Sequence, residues 1–369
     1  MTALRIGIDG EALLKPMSGV GNYVFGLCCE LDKLLPDAQF FVYARHPAEV
    51  LCLPSARWVV RHEVVPLWRR IPSFLWLKTR GLRLCQQDRL SHFWAGRTLH
   101  PHLPAPVKTI VTVHDLNHLV VPETMQRSTR WSHQLWFAAD VRSADVVLTN
   151  SQGTASRLVR ALGVKAQAVI HPGISEHYRQ LDPTHLVQAR EGLAQLGIRQ
   201  PYVLSVGTLE PRKNVALVLD AFMSLKSQGQ LPAHQLVLAG ARGWQNQALA
   251  TRIQEAKGAG VLMPGYVPNE LMPALYGLAD TLVCASSYEG FGMPVLEARA
   301  CGTTPVVTDV PELLEAAGGQ GLVVQDTSVQ ALAKVMQRAC VKSSEALSFD
   351  HASATWSARG RNLLPWFTS

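Results

Sequence analysis

Short apolar runs rich in β-branched residues alternate with longer stretches of helical periodicity along the whole chain. This alternation is typical of parallel βαβ units and argues against a β-sandwich or a helical bundle. In the first half, strands are predicted over residues 4–9, 39–43, 109–114, 146–150 and 168–171. In the second half, strands are predicted over residues 202–206, 235–239, 260–263, 281–285, 305–308 and 321–324. Two separate series predict two sheets, and therefore an α/β fold with two doubly wound domains.

A segment that is first polar and then helical separates the two series, and it places the predicted domain boundary near Leu181. The domains then cover residues 1–181 and 182–352, which agrees with a length of 369 residues at roughly 150 per domain. The remaining segment, 353–369, is amphipathic and is expected to pack back on the first domain.

Composition excludes several classes of protein. With 47% hydrophobic and 17% charged residues, the chain is neither disordered nor fibrous. Seven scattered cysteines without C-x-x-C spacing predict neither a disulfide framework nor a zinc site, and they favour a reducing cytoplasm. No run of 18 apolar residues and no signal-peptide pattern is present, so we expect no membrane span and no export signal.

Most of the net charge of +7 is local: residues 61–90 hold seven Lys and Arg against two acids, a balance of +5. Trp, Phe and Leu are interleaved with these cations, a pattern that suits a helix lying on an anionic membrane surface, centred on residues 66–84. The alternative is a helix packed on its own domain with its Arg stems covering apolar surface. No nucleic-acid-binding signature accompanies the cations, so nucleic acid is not an expected partner.

Residues that could bind a ligand follow the predicted strands, as expected for a doubly wound sheet. Gly19 and Gly21 open a helix after the first strand, where small residues let a backbone approach an anion or a sugar, although such a turn can be purely structural. His114 and Asp115 follow a later strand, and His114 is either a ligand-binding or a structural histidine. A metal site made of these two residues and His118 is disfavoured, because they do not share a helix face.

In the second half, Arg212 and Lys213 lie between a strand ending at Gly207 and the following helix. A guanidinium and an ammonium at such a junction can neutralise a diphosphate, and a solvated basic pair is the alternative.

Residues 286–298 combine two glycines with two carboxylates around the start of a short helix. Gly290 and Gly292 leave backbone N–H groups open just before Pro294, so an anion can bind at the positive end of the helix. Glu289 precedes this point and Glu297 follows it, and both can accept hydrogen bonds from the hydroxyls of a ribose or a sugar.

Together these motifs resemble those of the retaining glycosyltransferases of family 4. The matching segments are Glu289 to Glu297 as E-x7-E, residues 207–214 as the phosphate loop, residues 19–22 as the glycine loop, and His114 as the acceptor-side histidine. The resemblance implies the GT-B architecture, in which two Rossmann-like domains face each other across a cleft, the first on the acceptor side and the second binding the nucleotide sugar. Thr208 departs from the pattern, because many relatives carry Arg there, and Arg212 is expected to compensate in part.

The resemblance also implies roles for individual residues. Catalytic roles fall on His114, Arg212, Lys213 and Glu289, and donor-binding roles on Gly19, Gly21, Gly207, Thr208, Arg212, Lys213, Glu289, Gly290, Phe291, Gly292, Met293 and Glu297. The two cations would hold the donor diphosphate, Glu297 the ribose and Glu289 the transferred sugar. His114 would bind that sugar near the reacting carbon.

The implied reaction is transfer of a hexose from a nucleotide-diphosphate sugar, with GDP-mannose or a GDP-deoxyhexose expected, to a glycan or lipid-linked acceptor of cell-surface polysaccharide or lipopolysaccharide. The absence of a D-x-D motif fits a metal-independent enzyme, and no cofactor besides the donor substrate is expected. An epimerase of the same architecture and a non-catalytic nucleotide-sugar-binding subunit remain alternatives. A nicotinamide dehydrogenase is disfavoured, because the second strand continues into Ala44, Arg45 and His46 and lacks the expected acid.

Overall fold

The computed structural model describes residues 4–125, 127–241, 247–341 and 348–368. The chain divides into two compact units, one of Met1–Gly173 with Ala352–Ser369 and the other of Ile174–His351. The division lies before the boundary predicted near Leu181, because residues 178–181 pack on the second unit. The ring of Tyr178 lies 6.0 Å from that of Tyr276, and a Cβ at Gly277 would contact Leu181.

The first unit contains a seven-stranded sheet in which the paired strands all run parallel. Its strands are β1 (Arg5–Asp9), β2 (Gln39–Ala44), β3 (Trp58–His62), β4 (His92–Ala95), β5 (Lys108–Val113), β6 (Val146–Thr149) and β7 (Ala168–Val169). Their order across the sheet is β3-β2-β1-β4-β5-β6-β7. The sequence analysis missed β3 and β4. These two strands lie on either side of residues 66–84, which are called the basic segment below.

Helices cover both faces of this sheet. They are α1 (Gly19–Leu34), α2 (Pro66–Arg69), α3 (Ser73–Trp76), α4 (Leu82–Gln87), α5 (Asn117–Val120), α6 (Arg127–Ser143) and α7 (Gln152–Leu162), with a π-helical turn, Leu77–Gly81, between α3 and α4. One apolar core includes α1 and the other includes α6 and α7. Because both faces of the sheet are covered, its central strands β1, β4 and β5 are buried apart from the first residues of β1 and β5, as expected for a parallel sheet.

The second unit contains a six-stranded sheet whose paired strands are also parallel. The strands are β8 (Tyr202–Val206), β9 (Gln235–Ala239), β10 (Val261–Gly265), β11 (Thr281–Cys284), β12 (Pro305–Thr308) and β13 (Leu322–Val324). All six were predicted, three with their exact bounds and three with ends shifted by one or two residues, and their order is β10-β9-β8-β11-β12-β13. The predicted fold class, α/β with two Rossmann-like parallel-sheet domains, is therefore confirmed.

Helices also cover the sheet of the second unit. They are α8 (Leu186–Gln195), α9 (Val215–Ser227), α10 (Gln247–Glu255), α11 (Met272–Gly277), α12 (Met293–Ala300), α13 (Pro311–Ala317) and α14 (Val329–Val341). The hydrophobic core of this unit includes α9 and α14, which pack against each other. Within the described ranges, no helix combines the length and the apolar character that crossing a bilayer needs.

The carboxy-terminal segment forms α15 (His351–Ala354), α16 (Trp356–Leu363) and α17 (Pro365–Thr368). Its apolar side chains complete a core of the first unit: Leu363 and Phe367 have no exposed surface, and Trp356 lies on Gly26 of α1. A Cβ at Gly26 would come within 2.5 Å of the Trp356 ring, so this contact requires glycine.

Candidate functional site

In the second unit, the loop that follows β8 carries the predicted phosphate-binding residues. Gly207 ends the strand with φ +142°, and the carbonyl of Thr208 accepts the N–H of Glu210 at 2.7 Å, which turns the chain sharply. A short 3-10 turn, Pro211–Lys213, follows, and Asn214 in the left-handed conformation then begins α9. Gly207, Thr208 and Lys213 line one small cavity together with Ser286 from the end of β11.

The two predicted cations and one predicted carboxylate form a single cluster. Arg212 Nη1 donates to Glu289 Oε2 at 2.6 Å, and Lys213 Nζ lies 2.5 Å from Glu289 Oε1. Ser286 Oγ also donates to Glu289 Oε1, at 2.8 Å. Because β8 and β11 are neighbours in the sheet, the loops that follow them meet at its carboxyl edge.

The charges of this cluster are balanced in the free protein. Burial of Glu289 disfavours its charged form, but Lys213 and Arg212 outweigh burial and hold its pKa at about 2. Arg212 Nε also donates to Glu210 at 2.9 Å, so two cations face two carboxylates. A donor diphosphate would therefore have to compete with Glu289 for both cations. The sequence analysis assigned no role to Glu210 or Ser286, although they lie in the loops that follow β8 and β11.

The backbone at the start of α12 requires glycine at position 292. Gly292 precedes the helix with φ +109°, and a Cβ there would lie 2.8 Å from Leu313 Cδ2. Phe291 is buried beside it, Gly290 is partly exposed, and Met293 is the first residue of the helix.

Glu297, one turn into α12, differs from Glu289 in its partners. It accepts a hydrogen bond from the Tyr276 hydroxyl at 2.6 Å, and no ion pair of the described residues includes it. Burial raises the pKa of Glu297 to about 7, and the bond from Tyr276 opposes that rise only in part. The sequence analysis did not predict the contact of Tyr276 with Glu297.

In the first unit, His114 follows β5 and is buried. Its Nε2 lies 2.6 Å from the carbonyl oxygen of Gly96, and its ring meets the edge of the Tyr23 ring at 4.8 Å. Burial lowers the pKa of His114, so the imidazole is neutral at pH 7 and its Nε2–H donates to Gly96. The other nitrogen, Nδ1, is then the acceptor nitrogen of that tautomer.

The two glycines of the glycine loop, Gly19 and Gly21, differ in whether packing requires them. A Cβ at Gly21 would lie 2.6 Å from the carbonyl oxygen of Ala12, so packing alone explains Gly21. A Cβ at Gly19 would meet nothing within 4 Å, so packing does not explain Gly19. Ser18 caps α1 by accepting the N–H of Gly21 at 3.2 Å.

A cavity of about 430 Å³ adjoins His114, and all the residues that line it belong to the first unit. Charged side chains reach it from the carboxyl ends of three strands: Asp9 from β1, Arg45 from β2 and Arg97 from β4. The sequence analysis did not assign these three residues, although their positions after strands were the available signal.

The basic segment packs largely on its own unit, which corrects part of the predicted membrane surface over residues 66–84. Lys78 Nζ lies 2.7 Å from both Asp140 oxygens, Arg80 pairs with Glu63, and Trp76 is fully buried. Lys78 and Trp76 are therefore held inside the unit, and the partly exposed Arg80 is held by an internal carboxylate. Leu67 at 69% and Trp68 at 37% remain exposed, as do Arg70 and Arg83.

The disfavoured metal site of His114, Asp115 and His118 does not form. Among the described residues, one group has metal-ligand spacing: His100, His102 and Asp140. The Lys78 ammonium already neutralises Asp140, and the ring nitrogens of His100 face the carbonyls of Pro101 and Asp140. Asp140 is therefore the partner of Lys78 in an ion pair, and the three residues do not offer a free carboxylate to a cation.

Comparison with known proteins bears on both units. The sequence model of the family described as Glycosyltransferase Family 4 matches residues 17–178, and that described as Glycosyl transferases group 1 matches residues 192–354. O-antigen chain mannosyltransferase B of Escherichia coli is 31% identical over 344 residues, which cover 89% of this chain and 88% of that protein. A serotype-specific mannosyltransferase of Escherichia coli is 24% identical over 63% of this chain and 29% of that protein.

Among solved structures, sucrose-phosphate synthase from Thermosynechococcus elongatus superposes with a TM-score of 0.75 over 99% of this chain and 98% of its own. At 20% identity, this likeness concerns the fold alone.

Proposed function

The chain belongs to the glycosyltransferases of family 4, and from this premise we propose that it transfers mannose from GDP-mannose to the end of a cell-surface polysaccharide. A GDP-deoxyhexose is the nearest alternative donor. The mannosyl assignment is supported by O-antigen chain mannosyltransferase B, which shares 31% identity with this chain over 344 residues. The guanine base is the expectation from the family resemblance.

The cluster of Arg212, Lys213 and Glu289 is the observation that carries this proposal. Negative charge builds on the departing GDP diphosphate, and two preorganised cations stabilise that charge in the transition state. When the diphosphate engages the cations, Glu289 is released from its ion pairs to accept hydrogen bonds from the hydroxyls of the transferred sugar.

The proposed reaction retains the configuration of the sugar. The bond between the anomeric carbon and the GDP phosphate oxygen breaks, and the acceptor hydroxyl oxygen bonds to the same face of that carbon. The acceptor proton passes to the departing phosphate oxygen. His114, neutral and buried, contributes a hydrogen-bond acceptor to the donor sugar.

The first experiment measures mannose transfer from GDP-mannose to mannoside acceptors, with the anomeric configuration of the product read by NMR. Lys213→Ala should lower kcat/KM by about 100-fold, because one preorganised charge is lost from the transition state. Lys257→Ala is the matched control, since Lys257 is exposed on the same unit, and its kcat/KM should not change. Interconversion of GDP-sugars without acceptor would indicate an epimerase. Binding of the donor without any turnover would indicate a non-catalytic nucleotide-sugar-binding subunit.

Glu289→Gln separates donor binding from transfer. Nucleotide affinity, read by titration with GDP, should be retained or increased, because the cations lose the carboxylate that competes with phosphate. Transfer should fall by about 100-fold or more. Wild-type turnover in this variant would exclude Glu289 from the reaction.

We also propose that a smaller surface than residues 66–84 contacts the membrane. This contact would lie at the cytoplasmic face of the inner membrane and would serve lipid-linked acceptors. Exposed Leu67 and Trp68 on α2 would enter the interface, with Arg70 beside anionic headgroups. Leu67→Asp should weaken binding to vesicles that contain phosphatidylglycerol. Val187→Asp, on equally exposed surface of α8, should not. Equal vesicle binding by both variants would reject this contact.

A further inference from the structure

The indole ring of Trp356, near the start of the carboxy-terminal segment, fills a slot that two glycines leave open. A Cβ at Gly26 of α1 would lie 2.5 Å from Trp356 Cδ2, and a Cβ at Gly173 would lie 2.6 Å from the same atom. Neither glycine has a positive φ, so packing against the indole accounts for both. Thr355 caps α16 by accepting the N–H of Ala358 at 3.2 Å, which fixes where the helix begins. The slot therefore holds the indole in one place.

This slot lies where the chain leaves the first unit and returns to it. The first unit contains the chain up to Gly173 and again from Ala352, shortly before Trp356. The indole thus packs the departing segment and the returning segment against the same helix, α1. Because close-packed groups transmit displacements, a shift of either segment would reach α1 through this ring.

The hydrogen bond and the ring contact of His114 both lead to α1. The edge of the Tyr23 ring meets the imidazole at 4.8 Å, with an angle of 88° between the two planes. Gly96, whose carbonyl accepts from His114 Nε2 at 2.6 Å, packs closely on α1, since a Cβ there would lie 2.6 Å from Val24 Cγ2. A single hydrogen bond lets an imidazole tilt about it. The Tyr23 contact is therefore needed to fix the direction of Nδ1.

Tyr23 is itself held in place by two further contacts. It is buried, and its hydroxyl donates to the carbonyl of Ile170 at 2.8 Å. The Trp356 ring lies 6.2 Å from the Tyr23 ring at an angle of 78°. Neither Tyr23 nor Trp356 is among the residues that line the cavity adjoining His114, so neither side chain meets a ligand bound there. A row of three rings therefore runs from the carboxy-terminal segment through Tyr23 to His114.

Resting on the proposed function, we propose that Trp356 is a positioning residue for sugar transfer. Its indole keeps Tyr23 against the imidazole of His114, so that Nδ1 stays directed at the donor-sugar hydroxyl from which it accepts. Loss of the indole leaves space beside Tyr23 into which the phenol ring can shift, and the imidazole then samples several orientations. A misdirected hydrogen-bond acceptor slows transfer, whereas the affinity of the second unit for GDP does not depend on it.

The kinetic test is a double-mutant cycle in the full-length protein. Trp356→Leu should lower kcat for mannose transfer by about tenfold and leave GDP affinity unchanged. Trp356→Phe keeps a ring in the slot and should retain most of the wild-type kcat. In a His114→Ala background, Trp356→Leu should lower kcat by less than about twofold more, because the residue through which Trp356 acts is gone.

Trp366→Leu is the matched control. Trp366 is also a partly buried indole of the carboxy-terminal segment, and it packs on the same core of the first unit as Trp356. Its loss should lower the urea midpoint of that unit as Trp356→Leu does, with kcat unchanged. Equal loss of kcat in the two variants, or an undiminished effect of Trp356→Leu in the His114→Ala background, would overturn the proposal.

A second measurement reads the His114 ring without any substrate. Long-range proton–nitrogen NMR of protein with isotope-labelled histidine, with His114 assigned from the His114→Ala spectrum, should show one Nε2–H tautomer in the wild type. Trp356→Leu should shift or broaden this signal, and Trp366→Leu should not. An unchanged His114 signal in Trp356→Leu would also overturn the proposal. Failure of the wild-type protein to transfer mannose would reject the proposed function separately, because this signal does not depend on turnover.

Discussion

The two glutamates around the start of α12 differ in protonation because their partners differ. Glu289 is buried and Glu297 is half-buried, and the loss of water disfavours the charged form of each. Glu289 lies against Lys213 and Arg212 and has a pKa of about 2, whereas Glu297 meets only the neutral hydroxyl of Tyr276 and has a pKa of about 7. The E-x7-E pattern alone treats them as equivalent carboxylates.

The raised pKa of Glu297 predicts that donor affinity depends on pH. Ribose hydroxyls bind the ionised carboxylate best, so affinity for GDP-mannose should rise by about tenfold between roughly pH 6 and pH 8. Glu297→Gln should bind more weakly at the higher pH and lose this dependence. Isothermal titration over the range measures both, and GDP-mannose suits it because its diphosphate diester does not titrate there.

Tyr276→Phe tests the pKa of Glu297 in the opposite direction. The Tyr276 bond lowers the pKa of Glu297, so its loss should move the rise in affinity to higher pH. Stability should change in the opposite sense to binding: the unliganded protein loses stability as pH rises from about 4.5 through about 7, because the unfolded carboxyl ionises first. The same affinity profile in wild type and in Glu297→Gln would remove Glu297 from donor binding.

At the scale of elements, glycines at strand ends position the phosphate loop. Gly240, after β9, has φ +138°, and a Cβ there would clash with the carbonyl oxygen of Gly207 at the start of that loop. The neighbouring strands β8 and β9 can therefore end side by side only because Gly240 carries no side chain.

Gly240→Ala should destabilise the second unit by about 3 kcal/mol and weaken GDP binding, because it displaces the backbone before Arg212 and Lys213. Gly229→Ala is the matched control. Gly229 also has positive φ, +68°, but a Cβ there would meet nothing within 4 Å, so the cost should be about 1 kcal/mol with normal GDP affinity. Urea unfolding and GDP titration distinguish the two variants, and equal effects would contradict the clash.

Strand prediction succeeded where apolar runs are continuous and failed where polar residues interrupt them. The six strands of the second sheet are mostly apolar runs, and the four inner ones, β9, β8, β11 and β12, are largely buried. The missed β3 ends in Arg61 and His62, and β4 has only four residues beginning with His92. Both are stabilised by pairing with β2, β1 and β5, which a local sequence window does not contain.

At the scale of the whole chain, residues distant in sequence complete the first unit. Phe367 has no exposed surface, and its ring lies 5.7 Å from that of His92 and 6.4 Å from that of Trp94 in β4. The amphipathic pattern of the tail was recognised, and the tail belongs to the unit that contains β1 to β7.

Phe367→Ala should lower the free energy of unfolding of the first unit by about 3–5 kcal/mol, because it leaves a cavity in the core. Hydrogen exchange should accelerate at the amides of β1 and β4 and stay unchanged at those of β8 and β11. Asn362→Ala, on the exposed face of α16, is the control with wild-type exchange. Uniform acceleration in both units would contradict assignment of the tail to the first.

The sequence by itself determined the two parallel sheets, most of their strands and the loops that follow those strands, because apolar periodicity and glycine placement are local signals. Only the tertiary structure decided the charge states. Glu289 is ionised because two cations meet it across neighbouring strands, and Lys78 is internal because Asp140 meets it from another helix. Proximity and burial depend on which elements pack together, and they set the electrostatic energy of each group. Residue spacing along the chain does not contain that information.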